Sequence, residues 1–141
     1  MGLLYTGVDI VEIKRIGSIM EKHPAFIERF FTEREMSYFI DKRLKAEHIA
    51  AGFAAKEAVS KCIGGLIGIK LKDIEVLRGG RPEVRLWGRA KQKAELMGIG
   101  YISVSISHSS DYAVAFAVAK GGDCDVSFDG GGNESNRQGC Y

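Results

Sequence analysis

Cysteine is scarce in this sequence and never paired at metal-binding spacing. Cys62, Cys124 and Cys140 make an odd number with no CxxC, which argues against a disulfide framework and a zinc site and for a reducing compartment. No apolar run approaches the roughly 20 residues that cross a bilayer, and no basic region followed by a long apolar stretch opens the chain. A soluble, cytoplasmic protein without a membrane partner is expected. Charge of one sign is also scarce: the net charge is +2 over 141 residues. That is too little to imply nucleic acid, and no strip of interleaved basic and aromatic residues offers a stacking platform. The excess that exists is concentrated in residues 1–120, with 19 Lys+Arg against 14 Asp+Glu, whereas residues 121–141 hold one Arg against four acids. A modestly basic body favours an acidic partner or a phosphorylated ligand.

At 45% hydrophobic and 27% charged, the chain suits one domain whose core is modest enough to invite oligomerisation. Leu3 to Ile13 reads as an opening strand, with Asp9 interrupting its apolar run. Lys14 to Met20 and Pro24 to Phe31 read as short helices, Pro24 being acceptable at a first helical position. Thr32 and Glu35 have the spacing of a capping box, and Phe31 and Met36 stand at the positions of a hydrophobic staple, so a helix is expected from Glu33 to about Lys42. An alanine-rich helix should follow from Ala46 to Ile63 and stop at Gly64-Gly65. Cys62 near its end reads as a small apolar filler.

Beyond Gly64 the period shortens. Residues 74–78 and 83–87 alternate as strands around a Gly79-Gly80-Arg81-Pro82 connection, and Gly88 to Met97 is a polar helix. Tyr101 to Ser107 and Tyr112 to Ala119 alternate again, joined by a turn at His108-Ser109-Ser110-Asp111. Residues 121–141 lose all periodicity and read as a disordered tail.

The chemistry is concentrated in Phe53-Ala54-Ala55-Lys56-Glu57-Ala58-Val59-Ser60-Lys61, which carries an acid and two bases on a helix otherwise built for a core. Asp9 offers a second carboxylate from a separate element. Two carboxylates with substrate phosphate and water complete the octahedral oxygen shell that Mg²⁺ prefers. Lys61 adds a point charge for a phosphate, and His108 a hydrogen bond or a proton. Each residue also has an ordinary use: Asp9 as a solvated strand acid, Glu57 and Lys61 as an i,i+4 surface pair, His108 as a turn residue. Spacing alone leaves both readings open.

The order of four motifs takes the reading further. Gly7-Val8-Asp9-Ile10-Val11-Glu12-Ile13-Lys14-Arg15-Ile16, Arg29-Phe30-Phe31-Thr32-Glu33-Arg34-Glu35, Phe53-Ala54-Ala55-Lys56-Glu57-Ala58 and Ser105-Ile106-Ser107-His108-Ser109 together resemble the holo-(acyl-carrier-protein) synthase family, the small 4′-phosphopantetheinyl transferases. The resemblance covers residues 1 to about 120. It implies an α+β fold, an antiparallel sheet packed against a long helix, in a homotrimer with active sites between subunits. It also implies Mg²⁺-dependent transfer of phosphopantetheine from coenzyme A to a serine of apo acyl carrier protein.

Matched position by position, Asp9 and Glu57 are the implied Mg²⁺ ligands and catalytic carboxylates, and Lys61 the implied phosphate contact. His108 is implied in the coenzyme A pocket, reaching towards a neighbour's site. Arg15, with Lys14, Lys22 and Arg29 as further basic candidates, is implied in carrier-protein binding. Two positions depart from the pattern. Members often carry arginine where this chain has Gly52, and Gly-Thr-Gly where it has Gly64-Gly65-Leu66. Backbone N–H groups of Gly64 and Gly65 are left as the implied phosphate donors there. A coenzyme A-binding module without catalysis is the competing reading.

Overall fold

The opening strand β1 (Leu4–Glu12) passes without a loop into α1 (Ile13–Lys22), followed by a 3₁₀ helix at Pro24–Arg29, α2 (Glu33–Asp41) and the long α3 (Ala46–Cys62). A short 3₁₀ turn (Leu71–Asp73) leads to β2 (Ile74–Leu77), β3 (Glu83–Leu86), α4 (Gly88–Leu96), β4 (Ile102–His108) and β5 (Tyr112–Lys120). The structure, a computed structural model, describes residues 2–122. Gly121 and Gly122 donate to Leu3 and Met97 carbonyls at 2.8 and 3.1 Å; the rest of the expected tail lies outside the described residues.

The α+β architecture matches expectation. The short helix expected after His23 is a 3₁₀ helix, closed by i→i+3 bonds such as the 3.0 Å one from the Phe30 N–H to the Ile27 carbonyl, and one placement differs. His108 is not in the turn. It is the last residue of β4 and pairs with Ala113.

The main sheet is antiparallel with order β1-β5-β4, and β2-β3 forms a separate hairpin. Alternation in β5 decides what the sheet shows to α3. Ala113, Ala115, Ala117 and Ala119 point inward at 0–1% exposure, while Val114 and Phe116 point out. Small inward side chains let the helix come close, and Gly7 on β1 takes this to its limit. A Cβ at Gly7 would lie 1.9 Å from the Ala58 carbonyl oxygen and 2.9 Å from Lys61 Cβ. Beyond Ala46 the alanines of α3 are all buried, with Ile49, Val59 and Ile63 filling the remaining core.

The capping box on α2 forms as its sequence predicts. The Glu35 N–H donates to Thr32 Oγ1 at 3.3 Å, and the Thr32 N–H donates to Glu35 Oε1 at 3.0 Å. Glu35 then does more than cap, since its other oxygen accepts from the Val76 N–H at 3.1 Å and so joins α2 to β2.

Replacing Gly7 by alanine forces α3 off β1 and is expected to cost about 3 kcal/mol, as overpacking against backbone does. A urea titration checks this, and an unchanged midpoint would show that the seam has slack.

Candidate active site

Close packing at Gly7 brings the end of α3 over the middle of β1. Asp9 faces inward from β1 opposite Ala115, with its side chain 20% exposed. Lys61 reaches across from α3, donating to the Val8 carbonyl at 2.7 Å and lying 3.4 Å from Asp9 Oδ1. Glu57 is one turn earlier on the same side of the helix, about 40° from Lys61. Burial, and then the charge of Asp9, hold the Glu57 carboxyl above its ordinary pKa, with Lys61 acting in the opposite sense. Asp9, Glu57 and Lys61 are thus brought together.

The donor set fits a hard divalent cation. Two carboxylates raise each other's energy when both are ionised, and a shared cation removes that repulsion. No group of three or more His, Cys, Asp or Glu side chains clusters among the described residues. A metal held by Asp9 and Glu57 would therefore take the rest of its shell from water and ligand oxygens. That is the habit of Mg²⁺ rather than of zinc.

Gly64 and Gly65 close α3 with φ of +87° and +90°. Their N–H groups donate to Lys61 and Ser60 carbonyls at 3.3 and 2.8 Å. This corrects the expectation that those donors are available to phosphate: they are consumed in ending the helix. Lys93 of α4 holds the turn from outside, 3.5 and 3.2 Å from the Gly64 and Gly65 carbonyls.

His108 does not join the carboxylates. It lies two strands from β1 and two residues along from the position opposite Asp9, which puts their Cα atoms roughly 12 Å apart. Its ring is 6.4 Å from that of His48 near the start of α3. Tyr38, Lys42, His48, Arg78 and His108 line a cavity of about 450 Å³. Arg78 lies 4.6 Å above the Tyr38 ring and donates to the His48 carbonyl at 2.9 Å. Burial, and then Arg78, lower the His48 pKa, so His48 is neutral at pH 7. Sequence reasoning found His108 and missed its companions, because nothing local connects residues 38, 48, 78 and 108.

Lys14 and Arg15 are exposed at the start of α1, just past the end of β1; Lys22 and Arg29 are exposed further on. Lys56 goes the other way. It is fully buried, 2.6 Å from Glu35 Oε1 and 4.8 Å from the Phe31 ring centre. Gly52 lies one turn before Lys56 on this inner side, where a Cβ would come within 2.8 Å of Phe39 and 3.0 Å of Phe31. Position 52 here belongs to the aromatic core.

Residues 5–117 match the profile of the 4′-phosphopantetheinyl transferase superfamily. A holo-(acyl-carrier-protein) synthase of Caldanaerobacter subterraneus subsp. tengcongensis is 46% identical over 123 residues, covering 85% of this chain and 97% of that protein. One from Clostridium kluyveri is 49% identical over 115 residues, covering 79% and 86%. Among solved structures, the synthase of Plasmodium yoelii superposes with a TM-score of 0.75 at 36% identity, covering 84% of this chain and 95% of that one. The Helicobacter pylori synthase in complex with coenzyme A gives a TM-score of 0.70 at 33% identity, covering 81% and 98%.

The raised Glu57 pKa has a definite sign for stability. Above the ordinary value of 4.5, the unfolded chain releases this proton more readily than the folded one, so the ionised group destabilises the metal-free protein; below 4.5 the penalty vanishes. Glu57→Gln should raise the urea midpoint at pH 7 and lose that advantage at pH 4. Equal midpoints at pH 7 would contradict the burial and repulsion assigned to Glu57.

Proposed function

The chain belongs to the 4′-phosphopantetheinyl transferase superfamily, and on that premise we propose that it transfers 4′-phosphopantetheine from coenzyme A to a serine of apo acyl carrier protein. The observation that supports this most directly is the Asp9–Glu57–Lys61 cluster, two repelling carboxylates beside one lysine on closely packed elements. The serine oxygen bonds to the β-phosphorus of coenzyme A, the bond from that phosphorus to the bridging oxygen breaks, and adenosine 3′,5′-bisphosphate leaves.

Asp9 and Glu57 are the residues that would hold Mg²⁺, which when bound supplies charge neutralisation and alignment of the pyrophosphate. Lys61, half exposed, exchanges its contact with Asp9 for a phosphate oxygen. Glu57 is the chain's own carboxylate that would take the serine proton. Arg15, with Lys14, Lys22 and Arg29, offers an exposed basic face to an acidic carrier protein.

A homotrimer in the cytoplasm fits this reading. On the outer side of the main sheet Val8, Ile10 and Phe116 are 56%, 64% and 48% exposed, with Leu4, Tyr112 and Val114 beside them. So large an apolar face on one sheet is characteristic of a subunit interface. Its burial between copies would carry the His108 pocket of one chain towards the carboxylates of another. Lys42, Arg78 and His108 would then face the 3′-phosphate of coenzyme A, one of the two phosphates that leave in adenosine 3′,5′-bisphosphate.

Intact-mass measurement of apo acyl carrier protein incubated with coenzyme A and Mg²⁺ should show the added phosphopantetheine, and chelation with EDTA should stop it. No mass gain with several apo carriers would refute the reading in favour of a non-catalytic coenzyme A-binding module. Asp9→Asn is expected to lower kcat by about 10²-fold or more, the scale of losing one preorganised electrostatic group. Arg78→Met should raise KM for coenzyme A about 10-fold, as loss of one charge-assisted hydrogen bond does, and leave dephospho-coenzyme A unaffected. An equal effect on both donors would remove Arg78 from phosphate binding.

A further inference from the structure

Where α3 crosses β5 and Gly7 of β1 its seam with the main sheet is smooth, although Val59 and Ile63 pack in the same core as Ile102 and Val104 of β4. β5 offers it only alanine at its inward positions, and β1 offers Gly7 beneath Ala58. Small side chains allow close approach but interlock weakly, so they do little to fix how far the helix is turned about its axis. Two long side chains supply hydrogen bonds that can: Lys61 to the Val8 carbonyl at 2.7 Å and Lys56 to Glu35 at 2.6 Å. They project about 140° apart, with Glu57 between them. The Lys61 anchor is half exposed and belongs to the candidate site, so it is the one that a phosphate draws away.

The Lys56 anchor is different in kind. Lys56 is 0% exposed, and Glu35 accepts at the same time from the Thr32 N–H and the Val76 N–H. Thr32 Oγ1 donates onward to Glu75 Oε2 at 2.6 Å. Glu75 Oε1 is buried without a hydrogen-bond partner among the described residues and has Arg34 at 3.7 Å. One carboxylate, Glu35, therefore ties α3 to both α2 and β2. Nothing in this cluster reaches the carboxylates of the candidate site, and Gly52 leaves the same side of α3 open to Phe31 and Phe39.

We propose that Lys56 is a positioning residue for transfer: its buried pair with Glu35 fixes the rotation of α3, so that Glu57 stays aimed at Asp9 when Lys61 turns to substrate. The scale is adequate. A carboxylate some 5–6 Å from the helix axis moves about 1 Å for a turn of about 10°, and a misplacement of about 1 Å can cost about 10²-fold in rate. The role rests on the transferase reading, but its geometric half stands without it.

The experiment uses Lys56→Met and, because an unpaired buried Glu35 destabilises that variant, the double variant Lys56→Met/Glu35→Gln, which removes both charges. In the folded variant kcat for phosphopantetheine transfer should fall about 10²-fold, with KM for coenzyme A within about 2-fold of the wild-type value. Crystal structures without metal of Lys61→Met, in which that anchor is gone, and of the double variant combined with Lys61→Met should differ by a turn of α3 about its axis. A folded double variant with wild-type kcat and a superimposable α3 in those two structures would overturn the proposal. A wild-type protein that transfers nothing refutes the transferase reading instead, and the crystal structures still decide whether Lys56 sets the helix.

Discussion

Everything at the candidate site depends on how closely α3 lies on the main sheet. The carbonyl of Ala58 occupies the space that any side chain at position 7 would need, and β5 meets the helix with alanine alone. Only at that separation does Lys61 reach the Val8 carbonyl and Glu57 feel the charge of Asp9. The alanines that make α3 an unremarkable core helix are thus also the reason two carboxylates share one place. Size on the other side of the sheet follows from the same alternation, which sends Val8, Ile10, Val114 and Phe116 outward and leaves an apolar face for another copy.

The two lysines of α3 show how one helix separates stability from chemistry. Lys61 keeps half its surface in solvent and holds a backbone carbonyl with a contact that a phosphate can replace. Lys56 has no solvent at all, and burial lowers its pKa while Glu35 works to raise it. An ammonium in that position is kept charged by a fully hydrogen-bonded partner, and removing either member alone would strand a charge in the core. Cys62 at the end of the helix is simply inert: burial pushes its thiol up to about 11, far from the thiolate a nucleophile requires.

Local signals in the sequence were reliable wherever the physics was local. The capping box at Thr32 and Glu35, the stop at Gly64-Gly65 and the alternation of β4 and β5 all depend on residues within a few positions of each other. What could not be read was the second partner of each group. Glu35 carries a capping pattern that says nothing of Lys56, which lies 21 residues away. The glycine stop was visible, but not that it uses the N–H groups expected to serve phosphate. His108 was found by motif and placed by the fold beside Arg78 and His48, because the strand order β1-β5-β4 puts a whole strand between it and Asp9. Gly52 looked like a lost phosphate contact, and the Phe31–Phe39 edge contact shows that the space there is already filled.

The central claim is that Asp9 and Glu57 together form one divalent-cation site completed by the pyrophosphate of coenzyme A. Electron paramagnetic resonance of Mn²⁺, titrated as a stand-in for Mg²⁺ into protein saturated with coenzyme A, tests it directly. One bound ion per active site in the wild-type protein, weakened at least about 10-fold when either carboxylate is replaced by its amide, is the predicted result. Undiminished Mn²⁺ binding in Asp9→Asn and Glu57→Gln alike would contradict it.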